Sequence, residues 1–420
     1  MERRRGGLLR HRDFRLLWIG ETVSQAGTAL ANVLVPLLAV TVLRASTFGV
    51  ASLTAAAYLP WLVVGLPAGA WVDRWPLRPL MIGCDVVSAA LFAVLPVAAW
   101  LGVLAFWQLA SVVLLAGVSN VFFATAYQVY LPSLVAAGDL VEGNAKLQGS
   151  ASAALIGGRA AAGGAAQAVG AAAAVALDSA SFLVSAGCLL RIRASGRTRA
   201  AAAAKDKTTI RAEVAQGVRL VADDPYLRPI TAFATAGNLV YGGYNALVVL
   251  FLVRVAGFSP PAVGALVAAA GVGGITGALV TRRLCARLGS ARVLILAAVA
   301  NGAVLVVPLA HTGYRAIWFI VGAVVTNAGI LAGNIVAGAF RQGYCPPEML
   351  GRVVACMRFL GFGAIPAGAL LAGALGTALG VRDALWGAVA ANALTGTLLC
   401  TRAILAVRDL PSRTDSQRPR

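Results

Sequence analysis

Glu21 lies inside an apolar stretch of this 420-residue chain and heads a line of polar residues at Gln25, Thr28 and Asn32. The spacing i, i+4, i+7 and i+11 puts all four on one face of a helix. A carboxyl group whose charged form is penalised by burial can take up and release a proton. The amides and hydroxyl that follow it offer hydrogen bonds to a passing solute. Three further charges fall within apolar runs: Arg159, Asp178 and Arg358. In the hydrocarbon of a membrane an ionised side chain costs about 2.5–3.5 kcal/mol on insertion scales, so each needs a reason. Arg159 and Asp178 are equally far from a tight turn near Ala168. In an antiparallel hairpin they would sit level, which predicts that they pair and that protonation of Asp178 opens the pair. Arg358 can snorkel to a membrane surface or join a charge network there.

The same polar spacing recurs. The fourth apolar run has Asn120 and Tyr127 seven apart, with Gln128 adjacent; the seventh has Asn238, Tyr241 and Asn245; the tenth has Asn327 and Asn334 seven apart. The third, ninth and twelfth are nearly unbroken aliphatic runs. The striped runs are thus the first of each group of three, which is a sign of fourfold repetition. Polar groups in a span turn toward protein or water. The pattern predicts a central polar cavity lined by one helix from each repeat, with interhelical hydrogen bonding as the alternative use of these side chains.

The elements that must position these residues follow from composition. Hydrophobic residues are 59% of the chain and charged residues 12%, against about 25% charged in a soluble protein. A crossing needs about 20 apolar residues. The chain offers twelve: 16–43, 48–72, 79–101, 103–130, 144–167, 171–190, 229–253, 260–280, 292–310, 316–340, 353–377 and 381–404. The expected fold is an all-α membrane protein of twelve transmembrane helices in two pseudo-symmetric six-helix bundles. The net charge of +19 does not indicate nucleic-acid binding, because of where it lies. With a cytoplasmic N-terminus, Arg44, Arg254, Arg315 and Arg382 fall outside and Arg159 and Arg358 within spans; every other Lys and Arg is inside. That is the positive-inside pattern, loop by loop. It places both termini in the cytoplasm and the chain in the plasma (inner) membrane, bathed by lipid. The Arg-rich start runs into a span too long and too polar for a cleavable signal, so the first helix is expected to remain as an anchor.

The expected segments are a cytoplasmic N-terminal stretch (1–15), a first bundle (16–190), a cytoplasmic linker (191–228), a second bundle (229–405) and a disordered tail (406–420). Within the linker, Ile210, Val214, Val218 and Val221 recur at helical spacing, and Asp223-Asp224-Pro225 stops the run. This reads as a short amphipathic helix on the inner membrane surface. The six cysteines and two histidines are scattered, which suggests neither a disulfide framework nor a metal site. No cofactor is implied, and no GxxxxGK[ST] phosphate loop is present. Without a nucleophile–base pair or carboxylate cluster, an enzyme is disfavoured.

Between the second and third runs stands Gly69-Ala-Trp-Val-Asp73-Arg74-Trp-Pro-Leu-Arg78. A partial copy, Gly277-Ala-Leu-Val-Thr281-Arg282-Arg283, stands about two hundred residues on. On these residues the chain resembles the major facilitator superfamily, and most closely its bacterial drug and siderophore efflux branch of macrolide- and enterobactin-exporter type. The superfamily signature GxxxDRxGRR is matched at Gly69, Asp73, Arg74 and Arg78, with Pro76 and Leu77 as departures. The resemblance implies that this loop latches the two halves on the cytoplasmic side. Asp73 would accept, Arg352 or Arg358 would donate, and Asp85 would join the charge network. Thr281 removes the acid from the second copy. The stretches Phe340-Arg341-Gln342, Gly351 to Phe359 and Gly361 to Gly368 also resemble the efflux branch. Gly157-Gly158-Arg159 to Gly163-Gly164 stands where antiporters carry a Gly-Pro signature, with Arg159 at the Pro position.

The resemblance implies a secondary active transporter that works by alternating access as a monomer. It would export an amphipathic small molecule in exchange for protons carried by Glu21 or Asp178. Efflux relatives carry an acid near Thr28, and Glu21 lies two turns away on the same face. An importer or uniporter of a nutrient would share the fold and is the alternative.

Overall fold

The computed structural model describes residues 8–72, 74–135, 140–193, 218–345 and 347–411, and every regular element among them is helical. In the first half these are α1 (Arg12–Thr41), α2 (Thr47–Val63), α3 (Gly65–Val72), α4 (Leu77–Trp100), α5 (Phe106–Leu134), α6 (Leu140–Val169), α7 (Ala171–Ala174) and α8 (Ala176–Arg191). The second half has α9 (Leu227–Leu250), α10 (Pro260–Leu288), α11 (Ser290–Asn301), α12 (Ala316–Tyr344), α13 (Pro347–Ala378), α14 (Val381–Thr395) and α15 (Arg402–Leu405). A π-helical turn at Phe251–Val255 extends α9, and 3-10 turns at Gly302–Leu309 and Gly396–Leu399 extend α11 and α14.

Among the described residues nine helices are long and apolar enough to cross a membrane. The three other expected crossings fall short for separate reasons. The second run breaks after Val63, leaving α2 with 17 residues. The fifth forms a helix of 30 residues, but it carries Glu142 and Lys146 and is filled with Ala and Gly. The twelfth ends as α-helix at Thr395 and tightens into 3-10. The chain is a multi-pass membrane protein.

Two compact units form. Unit 1 holds residues 1–45, 56–206 and 259–268; unit 2 holds 46–55, 207–258 and 269–420. The units therefore differ from the expected bundles by two segments. In unit 2, residues 46–55 stay because Ala51 and Ala55 pack with Ala246 and Ala369, and Gly373 admits Ala51 and Phe48. In unit 1, Gly163 lets the Pro260–Pro261 backbone lie against α6, and Gly264 lies against Gly163 in return. Small residues permit this approach where a larger side chain would hold the helices apart.

The same pairings build both units. In unit 1, α1 packs on α6 and α8, and α4 on α5 and α8. In unit 2, α9 packs on α13 and α14, and α11 on α12 and α14. The crossings match in detail. Gly158 of α6 meets the Ala26 carbonyl of α1, as Gly368 of α13 meets the Leu239 carbonyl of α9. Gly117 of α5 meets Ala57 and Pro60 of α2, as Gly273 and Gly277 of α10 meet Val324 and Ala328 of α12. The turns also agree: Gly170 (φ 83°) precedes α7 and Gly380 (φ 95°) precedes α14, a left-handed conformation that glycine adopts without a Cβ penalty.

The expected linker helix lies mostly in residues 194–217, outside those described. Helix is present from Val218, and Val221 is buried in the unit 2 core. The tail differs from expectation over 406–411, which is held in place. The Arg408 guanidinium donates to the Arg287 carbonyl at 3.1 Å, Asp409 Oδ1 accepts the Ser290 N–H at 2.8 Å, and Ser290 Oγ accepts the Leu410 N–H at 2.8 Å. These bonds satisfy the open ends of α10 and α11, which have no intrahelical partners there. Residues 412–420 lie outside those described.

Candidate transport site and proton-linked carboxyl groups

Helix α1 is the most enclosed of the long helices. Between Gly20 and Val40 its exposed side chains are those of Gln25 and Asn32. On α4, by contrast, Val86, Val87, Val94 and Val97 are exposed, as suits a lipid-facing surface. The open face of α1 is therefore chemically a water face. Glu21 heads it. Its Oε1 accepts a 2.8 Å bond from Gln25 Nε2, while Oε2 is buried and has no hydrogen-bond partner. Thr28 is half-buried on the same face.

The other expected stripes are open too. Asn120 of α5 and Asn334 of α12 are exposed; Tyr127, Asn238, Tyr241, Asn245 and Asn327 are half-buried. Among the described residues, the hydrogen bonds of these side chains stay on their own helices: Gln25 to Glu21 and Asn327 Nδ2 to the Ala323 carbonyl at 2.8 Å. Among the described residues none of these bonds joins two helices. Interhelical bonding falls to residues the sequence reading passed over. The Asn301 carbonyl, where α11 tightens into 3-10, accepts Asn392 Nδ2 of α14 at 3.0 Å and Thr326 Oγ1 of α12 at 3.5 Å.

Polar contacts concentrate where α8 is wedged between α1 and α4. Along the antiparallel α4–α8 seam, Arg78 donates through Nε to the Leu189 carbonyl (2.8 Å) and through an Nη to that of Leu190 (2.7 Å). Further in, the Ser185 hydroxyl bonds the Asp85 carboxylate, and Ser179 Oγ donates to the Ala89 carbonyl at 2.7 Å. Asp85 is 2% exposed, and its Oδ2 has no partner. The resemblance places this residue in a cytoplasmic latch. It is instead sealed in the seam, and among the described residues no cation pairs with it. Three serines at 179, 181 and 185 were the available signal, since in an apolar helix hydroxyls mark the face turned to protein.

Asp178 is fully buried on the α1 side of α8. Ser181 Oγ donates to its carbonyl (2.8 Å) and lies 3.3 Å from Oδ1; Oδ2 has no partner. Gly27 of α1 makes room: a Cβ there would sit 2.6 Å from Asp178 Oδ1. The expected ion pair with Arg159 does not form. Asp178 points at α1, whereas the backbone of Arg159 faces α10, its carbonyl 3.0 Å from a Cβ at Gly264. Level position in a hairpin fixes depth along the axis and leaves the rotation of each helix free, and rotation decided the matter. The bend itself falls at Gly170.

The loop signature divides. Asp73 lies outside the described residues, and so does the side chain of Arg352, which belongs to α13; Gly69 lies within α3. Arg74 is exposed in the turn. Arg78 works as a C-terminal cap for α8, where a cation meets the negative end of the helix. Trp71 and Trp75 brace the loop by stacking on Phe122 of α5, with centroids 5.9 and 6.0 Å away. Arg358 is exposed on α13, within electrostatic reach of Arg341 of α12, a like charge. At the start of α9, Asp224 Oδ1 accepts the N–H groups of Tyr226 and Leu227, and Oδ2 accepts the Tyr344 hydroxyl at 2.8 Å.

The transmembrane secretion effector family of the major facilitator superfamily has a model that matches residues 7–418. The chain belongs to this family. Its family and fold are those of major facilitator transporters. It is 27% identical over 122 residues to macrolide efflux protein A of Streptococcus pyogenes, a match covering 29% of this chain and about a third of that protein (30%). The nucleoside transporter NupG shares its fold at TM-score 0.77 and 12% identity, covering 94% of this chain and 99% of that one. A bacterial homologue of the iron transporter ferroportin does so at 0.73 and 17%, with coverages of 94% and 99%. A bacterial homologue of the human lysosomal transporter Spinster does so at 0.69 and 14%, covering 94% and 95%.

Proposed function

We propose that this chain exports an amphipathic small molecule in exchange for protons, by alternating access. The observation that carries the reading is Glu21 at the head of the water-facing side of α1, with one carboxyl oxygen buried and unpartnered. A carboxylate left without a donor or cation in a membrane interior is costly, and a bound proton removes that cost. The group therefore takes a proton when sealed from water and releases it when wetted, which is what an exchange cycle needs.

In each unit the polar faces, of α1 and α5 in unit 1 and of α9 and α12 in unit 2, offer hydrogen bonds to a substrate. Asn, Gln and Tyr among aliphatic neighbours suit a bulky, mostly apolar molecule with a few hydrogen-bonding groups. Export, rather than import, is supported by the family and by the partial match to a macrolide efflux protein. Asp178, fully buried beside Gly27, is the alternative proton carrier. A single chain is sufficient for the cycle.

The test is expression in an efflux-deficient host against a panel of toxic amphipathic compounds. Wild type should raise the tolerated dose of at least one compound, and Glu21→Gln should return it to that of the empty host. Equal protection by both proteins removes Glu21 from the mechanism. Uptake into proteoliposomes without acid-driven counterflow would replace export with import or uniport.

A further inference from the structure

Three helices bring two carboxyl groups together in unit 1. Glu21 of α1 follows Gly20, whose Cβ position lies 3.1 Å from Cys188 Cβ and 3.3 Å from Ser185 Cα of α8. Ser185 in turn bonds Asp85 of α4, and Asp85 is within electrostatic reach of Glu21. Each acid keeps one buried oxygen without a partner, and Asp85 is 2% exposed. The surrounding groups are Tyr127 of α5, within reach of Glu21, Cys84 beside Asp85 on α4, and Ser185 and Cys188 of α8. Arg191, at the end of α8, acts on Cys188. Among the described residues none of these neighbours forms an ion pair with either acid.

We infer that Glu21 and Asp85 form one coupled proton site, with Asp85 as a second proton-carrying carboxyl held in the α4–α8 seam behind α1. Two negative charges in so dry a setting repel strongly, so the pair favours states in which at least one proton is bound. Glu21 meets water and substrate on the open face. Asp85, held by Ser185, responds through the charge of its neighbour. The pair thus spreads the proton-linked event from α1 to the helices that pack behind it. This inference rests on the proton-exchange reading and adds a residue to it.

Infrared titration of the carboxyl carbonyl bands tests it on the full chain in lipid nanodiscs, with no substrate required. Wild type, Glu21→Gln, Asp85→Asn and Asp178→Asn are compared, and the Asp85 band is the one lost in Asp85→Asn. Coupling requires that this band shift its titration midpoint by about one pH unit or more in Glu21→Gln and stay in place in Asp178→Asn. Should Asp85→Asn not fold, Ser185→Ala identifies the band by perturbing its donor. An Asp85 midpoint equal in wild type and Glu21→Gln overturns the inference, as does an Asp85 that never shows a protonated band. Coupled titration in a protein that exports nothing would leave the pair intact and sink the export reading; export with uncoupled titration would do the reverse.

Discussion

Single residues at helix ends do structural work that their charge alone does not reveal. Arg78 spans two carbonyls at the end of α8 with charge-assisted bonds. Arg78→Ala should lower stability by about 1–2 kcal/mol, in the range for a cation at a helix C-terminus. Arg78→Lys should recover only part of this, because an ammonium cannot reproduce the guanidinium fork. Thermal unfolding in detergent measures both, and an unchanged melting temperature in Arg78→Ala would remove the capping role. At the other corner, Cys345 is 4% exposed next to the Asp224–Tyr344 bond. Burial, and then the Asp224 charge, push its thiol above the usual range, with Arg341 opposing. A raised thiol carries less thiolate at neutral pH, so maleimide should label Cys345 slowly and faster as the pH climbs. Asp224→Asn, which removes that charge, should speed labelling at fixed pH. Rapid labelling of Cys345 in the wild type would contradict the packing.

Between elements, glycine decides how near two axes come. At Gly368 a Cβ would meet the Leu239 backbone, its carbonyl carbon only 2.6 Å away. A helix backbone cannot step aside as a flexible side chain can, so Gly368→Ala should force α9 and α13 apart at a cost of about 1–3 kcal/mol or more. Gly164, on α6, has nothing within 4 Å of its Cβ position, and Gly164→Ala should be neutral or stabilising by up to about 1 kcal/mol. Size-exclusion profiles of fluorescent fusions would compare them. Equal yields of monodisperse protein from the two variants would show that these crossings are not tight. The repeat of these contacts in both units explains why the polar stripes recur in sequence: the pairing that buries one face of α1 or α9 leaves the same opposite face open.

For the whole molecule, the distribution of Lys and Arg predicts topology. A reporter fused after residue 411 should read cytoplasmic, and one placed in the hairpin at His311–Arg315 should read external. The opposite pair of readings would invert the orientation and with it the assignment of the Arg78 loop. Much of the architecture was legible beforehand, since hydrophobic run length, loop charge and the repeated hairpin are local or additive properties of the chain. So were the open faces of Gln25 and Asn32, because helical spacing fixes which side chains share a side. Partners across helices were not legible. Asp178 was expected to pair with Arg159 and instead meets Ser181 and Gly27; Asp85 was expected in the latch charge network and is sealed against Ser185. Sequence determined that this is a helical, multi-pass membrane protein of repeated design with acids among its spans. Which neighbour each acid faces depended on the rotation of every helix about its own axis, and only packing of small residues at the crossings, read in three dimensions, settles that angle.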